Sequence, residues 1–195
     1  MKMDKIGNKF TDTPFWMGSI THKEDLKLIK DLDITVSGVG KYNDEETGER
    51  VTHPEWLKIM DMMPNAKFEE AIYNPELYHN LLKDKGVGLI PLVESKFNRC
   101  KSNLKMLEYG WMEKPVIVSD VAPYSNSAID NKHVLFVKPG QTFKERLEGL
   151  LNNKQWQDDL RGNLYDLVKR NHLIYKANEI RMERLWKLSK KSPKK

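Results

Sequence analysis

Two stretches of this chain are apolar without alternation: Val87-Gly88-Leu89-Ile90-Pro91-Leu92 and Pro115-Val116-Ile117-Val118-Ser119, with a helical pattern between them. A strand with one face in water alternates apolar and polar residues, so a run without alternation has to be covered on both faces. Two such strands separated by a helix predict parallel neighbours at the centre of a sheet, joined by a right-handed crossover. The rest of the chain fits that frame. Phe15-Trp16-Met17 reads as a strand ending at Gly18-Ser19, and a helix follows from Thr21 through Leu26, Leu28 and Ile29. Asp33 to Gly38 is a β-branched run, Lys67 to Tyr73 a third strand, and His133 to Val137 the last.

Residues 41–53, rich in Asn, Asp, Glu and Gly, read as an exposed loop before a short helix that starts at His53-Pro54-Glu55 and turns Trp56, Ile59 and Met60 inward. Pro75 fits the first turn of another helix. Helical patterns over Thr142 to Leu151, Trp156 to Val168 and Ile174 to Leu188 close the chain. The expected fold is therefore α/β: one Rossmann-like domain with a mainly parallel sheet and helices on both faces, spanning residues 14–188. Residues 1–13 form an N-terminal extension and residues 189–195 a Lys-rich tail.

Composition narrows the function classes. The formal net charge is +5, but five lysines fall in the last nine residues, where there is no acid, so residues 1–186 are formally neutral. A basic nucleic-acid-binding body is thereby excluded; the tail suits contact with nucleic-acid phosphate or a membrane surface, and a disordered solubilising end explains it as well. One cysteine, Cys100, excludes a disulfide framework and any multi-cysteine metal site. No apolar run is long enough to span a bilayer, and the first residues lack the apolar core of a secretory signal, so a cytoplasmic setting is expected.

Chemistry concentrates in one stretch. Asn98 to Trp111 reads as a single helix with Leu104, Leu107 and Trp111 on its apolar side and Lys101, Lys105 and Glu108 on the adjoining sector. Two lysines near the amino end of a helix that follows a strand's carboxyl end suit a phosphate or diphosphate, because free N–H groups and the helix dipole add to their charge. A solvated charged face explains the same spacing.

The string PLVESKFNRCKSNLKMLEYGWMEKPVIVSDVAPY, residues 91–124, resembles the donor-binding segment of bacterial and phage GT-B glycosyltransferases. Met17-Gly18-Ser19-Ile20-Thr21-His22 and Val36-Ser37-Gly38 extend the likeness. The resemblance implies the C-terminal, nucleotide-sugar-binding half of such an enzyme, with the acceptor-binding domain outside this chain and supplied by a further domain or partner. It places Glu108 at the ribose hydroxyls, Lys101 and Ser102 at the diphosphate with Lys105 as a second cation, Gly18 and Ser19 close to it, and Phe97 and Asn98 at the sugar end. No metal or other cofactor is implied.

Eight positions before Glu108, where many retaining relatives carry a second glutamate, stands Cys100. The sugar contact is left unassigned, with Glu94 in the preceding loop as a substitute, and Glu94 and His22 are the candidates for a catalytic role. Asp120 and Tyr124 follow a buried strand and fit the site's floor, although an N-cap and a packed tyrosine explain them equally well. Asp31-Leu32-Asp33 matches a metal-binding spacing but precedes a strand, which puts it at the end of the sheet away from ligands. The alternative function is a non-catalytic nucleotide-sugar-binding or partner-binding module with the same fold.

Overall fold

The computed structural model describes residues 11–189. β1 (Phe15–Met17) leads through Gly18 and Ser19 into a composite helical segment: a 3-10 turn (Ile20–His22), α1 (Lys23–Leu26) and a second 3-10 turn (Lys27–Ile29). β2 (Thr35–Val39), the hairpin strands β3 (Lys41–Asn43) and β4 (Arg50–Thr52), α2 (Pro54–Met62), β5 (Lys67–Glu70) and α3 (Pro75–Lys83) complete the first half. The second half runs β6 (Gly88–Ile90), α4 (Lys96–Arg99), α5 (Leu104–Trp111), β7 (Val116–Ser119), β8 (Leu135–Val137), α6 (Phe143–Leu151), α7 (Lys154–Asn171) and α8 (Ile174–Ser189).

Six strands form one sheet in the order β5-β2-β1-β6-β7-β8, and every pairing in it is parallel. β6 and β7 are interior neighbours in register Gly88 with Val116 and Ile90 with Val118, as their apolar runs require. Each face is covered. Phe15, Met17, Ile90, Val116 and Val118 pack with Met106 and Tyr109 of α5 on one side. Trp16, Val36, Leu89 and Ile117 pack with Leu26, Trp56, Leu147 and Leu160 on the other. The sheet is the partition between these two cores.

Three expectations need correction. Residues 41–53 are not a plain loop: β3 and β4 pair as an antiparallel hairpin, closed where the Asp44 carboxylate accepts from the N–H groups of Glu46 and Thr47 and where Gly48 takes φ 71°. The helix expected from Asn98 to Trp111 is two helices broken at residues 100–103. Ser95 caps the first by accepting from Asn98 N–H, while the side chains of Asn98 and Asn103 bond distant partners, Asp25 Oδ1 and Ser127 Oγ, rather than their own helix.

The buried side of α5 also differs from expectation: Met106, Tyr109 and Gly110 face the core and Leu104 is exposed. Tyr109 is held inward because its hydroxyl accepts from Met17 N–H at 3.2 Å. At Gly110 a Cβ would lie 2.7 Å from Leu164 Cγ, so the glycine lets α7 lie close against α5. α8 buries none of its residues and leaves Ile174, Ile180, Leu185 and Trp186 exposed. The expected Lys-rich tail, beyond Ser189, and residues 1–10 of the N-terminal extension lie outside the described residues.

Candidate functional site

Chain direction across the sheet reverses between β1 and β6: from β1 it runs outward to β2 and β5, from β6 outward to β7 and β8. Beyond the carboxyl ends of two such strands a crevice opens, because their connections leave to opposite sides. One bank is Gly18, Ser19 and the 3-10 turn ending in His22. The other is the segment from Pro91 to Ser95, α4, and the turn at residues 100–103.

The first bank is shaped by glycine. Gly38 has φ 123°, and a Cβ there would lie 1.9 Å from the Gly18 carbonyl oxygen, so the exits of β1 and β2 touch backbone to backbone. Beside them lies a cavity of about 280 Å³ lined by Gly18, Ser19, Ser37, Gly38, Glu70, Tyr73 and Lys105. Lys105 reaches it from the first turn of α5, with its Nζ 4.8 Å from the centre of the Trp16 ring. Burial, and then the neighbouring charge of Lys101, push the Lys105 ammonium down to about 8 against the pull of Asp25 and Glu108.

The two banks are tied by Asp25. Its side chain is 4% exposed, and its Oδ1 accepts from Val93 N–H at 2.8 Å and Asn98 Nδ2 at 3.2 Å. Its Oδ2 lies 2.7 Å from His22 Nδ1 and 3.8 Å from Lys101 Nζ. Burial alone would raise the Asp25 carboxyl, but the hydrogen bonds from His22 and Val93 outweigh it and hold the group ionised below its ordinary range. For His22 the bond to Asp25 pulls the pKa upward. Burial and the charges of Lys105 and Lys101 outweigh that pull, and the ring titrates below its ordinary value.

The expected site residues thus fall into groups. Gly18, Ser19 and Lys105 share the cavity, while His22, Asn98 and Lys101 meet on Asp25. Glu108 lies three residues beyond Lys105 on α5, half-buried. Phe97 is exposed, with Lys101 Nζ 5.3 Å from its ring centre, and Ser102 is exposed in the turn before α5. Glu94 is exposed and ion-paired with Arg99. Asp120 lines a second cavity of about 440 Å³ with Leu92, Ser119 and Gly140, and Tyr124 is buried in the core, its hydroxyl pushed up to about 12 by burial.

Asp31 and Asp33 line a cavity at the opposite end of the sheet, before β2. Among the described residues no cluster of three His, Cys, Asp or Glu side chains could hold a metal ion. No helix among them is long and apolar enough to cross a membrane. Asp25 was the residue missed. Its signal was an acid next to Leu26, on the inward side of an amphipathic helix and three residues after His22.

The sequence matches no protein-family model and no curated protein. Solved structures share its fold, which is that of the C-terminal half of GT-B glycosyltransferases. Anabaena HepE, solved with UDP and glucose, superposes with a TM-score of 0.67 at 11% identity over 92% of this chain and 49% of its own. Sucrose-phosphate synthase from Thermosynechococcus elongatus gives 0.58 at 14% identity, over 93% of this chain and 47% of its own. The C-terminal domain of a group 1 family glycosyl transferase from Francisella tularensis gives 0.55 at 14%, over 83% of this chain and 87% of that domain. The chain spans about half the length of the first two proteins and nearly all of the isolated domain.

Proposed function

We propose that this chain is the donor domain of a glycosyltransferase, which binds a nucleotide-diphosphate sugar in the crevice between β1 and β6 for transfer of the sugar to an acceptor hydroxyl. The observation that carries the reading is the assembly at the switch point of a glycine-lined strand exit, two lysine cations, Lys101 and Lys105, and the His22 ring, a set suited to a diphosphate. UDP in the Anabaena neighbour supports a uridine nucleotide as the first ligand to try.

In this reading the Gly18–Ser19 backbone approaches the diphosphate, Lys101 and Lys105 carry its charge, and Glu108 accepts hydrogen bonds from the ribose. Transfer breaks the bond between the anomeric carbon and the phosphate oxygen and forms one to the acceptor oxygen, whose proton passes to a base. The cations stabilise the leaving nucleotide diphosphate. Carbohydrate contacts fall to Phe97 and Asn98, since Cys100 stands where a carboxylate would. The acceptor, and the group that takes its proton, come from a further domain or partner, for which the exposed apolar face of α8 is the contact. Calorimetric titration with a panel of nucleotide-diphosphate sugars tests the reading: one of them binds, and loss of binding to all overturns it.

A second reading, a binding module without catalysis, is favoured by Cys100 at the sugar end and by the ion pair that occupies Glu94. The two readings part on sugar transfer once the missing half is supplied, in cis or as a partner.

A further inference from the structure

Asp25 is a buried carboxylate that no expected role used, yet both of its oxygens are bonded within the crevice. Four groups converge on its two oxygens: Val93 N–H, the Asn98 amide, the His22 ring and, at 3.8 Å, the Lys101 ammonium. Val93 is 68 residues away in sequence and Asn98 is 73. The carboxylate therefore joins the segment after β1 to the segment after β6, the two banks between which a ligand has to fit.

The geometry also fixes a proton. An ionised carboxylate only accepts, so the ring atom 2.7 Å from Asp25 Oδ2 must be an N–H, and His22 is the Nδ1–H tautomer. Lys101 Nζ is 3.5 Å from the same Nδ1, too far to compete as a donor for it, and its charge is directed at Asp25. Nε2 is then the ring nitrogen left for a ligand. It accepts from a hydroxyl when the ring is neutral and donates to a phosphate oxygen when the ring is protonated. The groups facing the ring are Asp25 on its own helical segment, Lys101 from the turn before α5, Lys105 from α5 and, in a T-shaped contact, the Trp16 ring from β1.

We propose that Asp25 is a positioning residue of the crevice: it holds His22 as the Nδ1–H tautomer with Nε2 reserved for the ligand, and clamps the Val93–Asn98 segment at binding distance from the β1 exit before ligand arrives. The ligand side of this statement rests on the nucleotide-diphosphate reading above; the tautomer and the clamp do not. Pre-formed spacing of this kind lowers the ordering cost of binding.

Long-range proton–nitrogen NMR of the full chain, labelled with nitrogen-15, reads the tautomer without any ligand. The expected spectrum assigns the His22 proton to Nδ1. A proton on Nε2 overturns the proposal. The second measurement is a double-mutant cycle with uridine diphosphate, using Asp25→Asn, His22→Ala and the pair. Asp25's own negative charge repels an anion in both backgrounds and cancels in the cycle, so what remains is the part that acts through His22.

Asp25→Asn is expected to weaken binding at least about fivefold more when His22 is present than when it is Ala, as for a hydrogen bond to a charged group. Equal changes in the two backgrounds overturn the positioning role. Should the parent chain show the Nδ1–H tautomer and yet bind no uridine diphosphate, the donor reading falls and the tautomer assignment stands.

Discussion

Lys105 makes the pH dependence of ligand binding calculable. Its ammonium lies beside the cavity at the β1 exit, where burial and Lys101 hold it at about 8. A bound diphosphate adds opposite charge to that of Asp25 and Glu108, and the ammonium returns toward its ordinary value in the complex. Binding therefore draws the protonated form: affinity is close to full at about pH 7 and below, and falls as pH rises through the free-state value near 8. With about 8 in the free chain and about 10 in the complex, the dissociation constant rises roughly ninefold between pH 7 and pH 9, and about half a proton is taken up per ligand at pH 8. Calorimetry with uridine diphosphate in two buffers of different ionisation enthalpy measures both quantities. Lys105→Met should remove the slope and bind at the weak limit throughout, which separates titration of the side chain from that of the nucleotide. A dissociation constant that is flat from pH 7 to pH 9 in the parent chain, or an unchanged slope in Lys105→Met, refutes the reasoning.

Gly38→Ala is expected to cost about 2–5 kcal/mol, because an L side chain at φ 123° is strained and its Cβ would fall 1.9 Å from the Gly18 carbonyl. A calorimetric melt checks it, and a melting temperature within a degree or two of the parent would contradict the backbone contact. Glu108→Ala should lose about 1.5–3 kcal/mol of uridine diphosphate affinity if Glu108 accepts from the ribose hydroxyls, while leaving inorganic pyrophosphate unaffected, both read by the same titration. The isolated chain should transfer sugar slowly or not at all even where it binds donor, and robust transfer by a demonstrably monomeric preparation would overturn the need for a second half.

How far these residues were legible depends on whether the interaction is local. β6 and β7 announce themselves because burial on both faces leaves no polar position, and Thr142 and Glu145 mark the start of α6 because a capping box is complete within four residues. The hairpin of β3 and β4 was hidden because both strands are short and polar, pairing only with each other. The break between α4 and α5 was hidden for the opposite reason: nothing in the local sequence stops the helix, and the side chains of Asn98 and Asn103 are drawn away by Asp25 and Ser127. The inward side of α5 was legible in part: Leu107 and Trp111 pack against the core as their spacing requires, whereas Leu104 is exposed and Gly110, which has no side chain to signal burial, is the contact with α7. Asp25 is the sharpest case, since a lone acid beside a helix's apolar stripe acquires meaning only when the segment after β6 is brought to it.

The central claim is the position of the ligand, and a crystal structure of the chain with uridine diphosphate tests it most directly. The diphosphate is expected within hydrogen-bonding distance of the Gly18–Ser19 backbone and the Lys101 ammonium, with His22 Nε2 facing it. Nucleotide seated instead in the cavity bounded by Leu92, Ser119 and Gly140, or in the one beside Asp31 and Asp33, would contradict it.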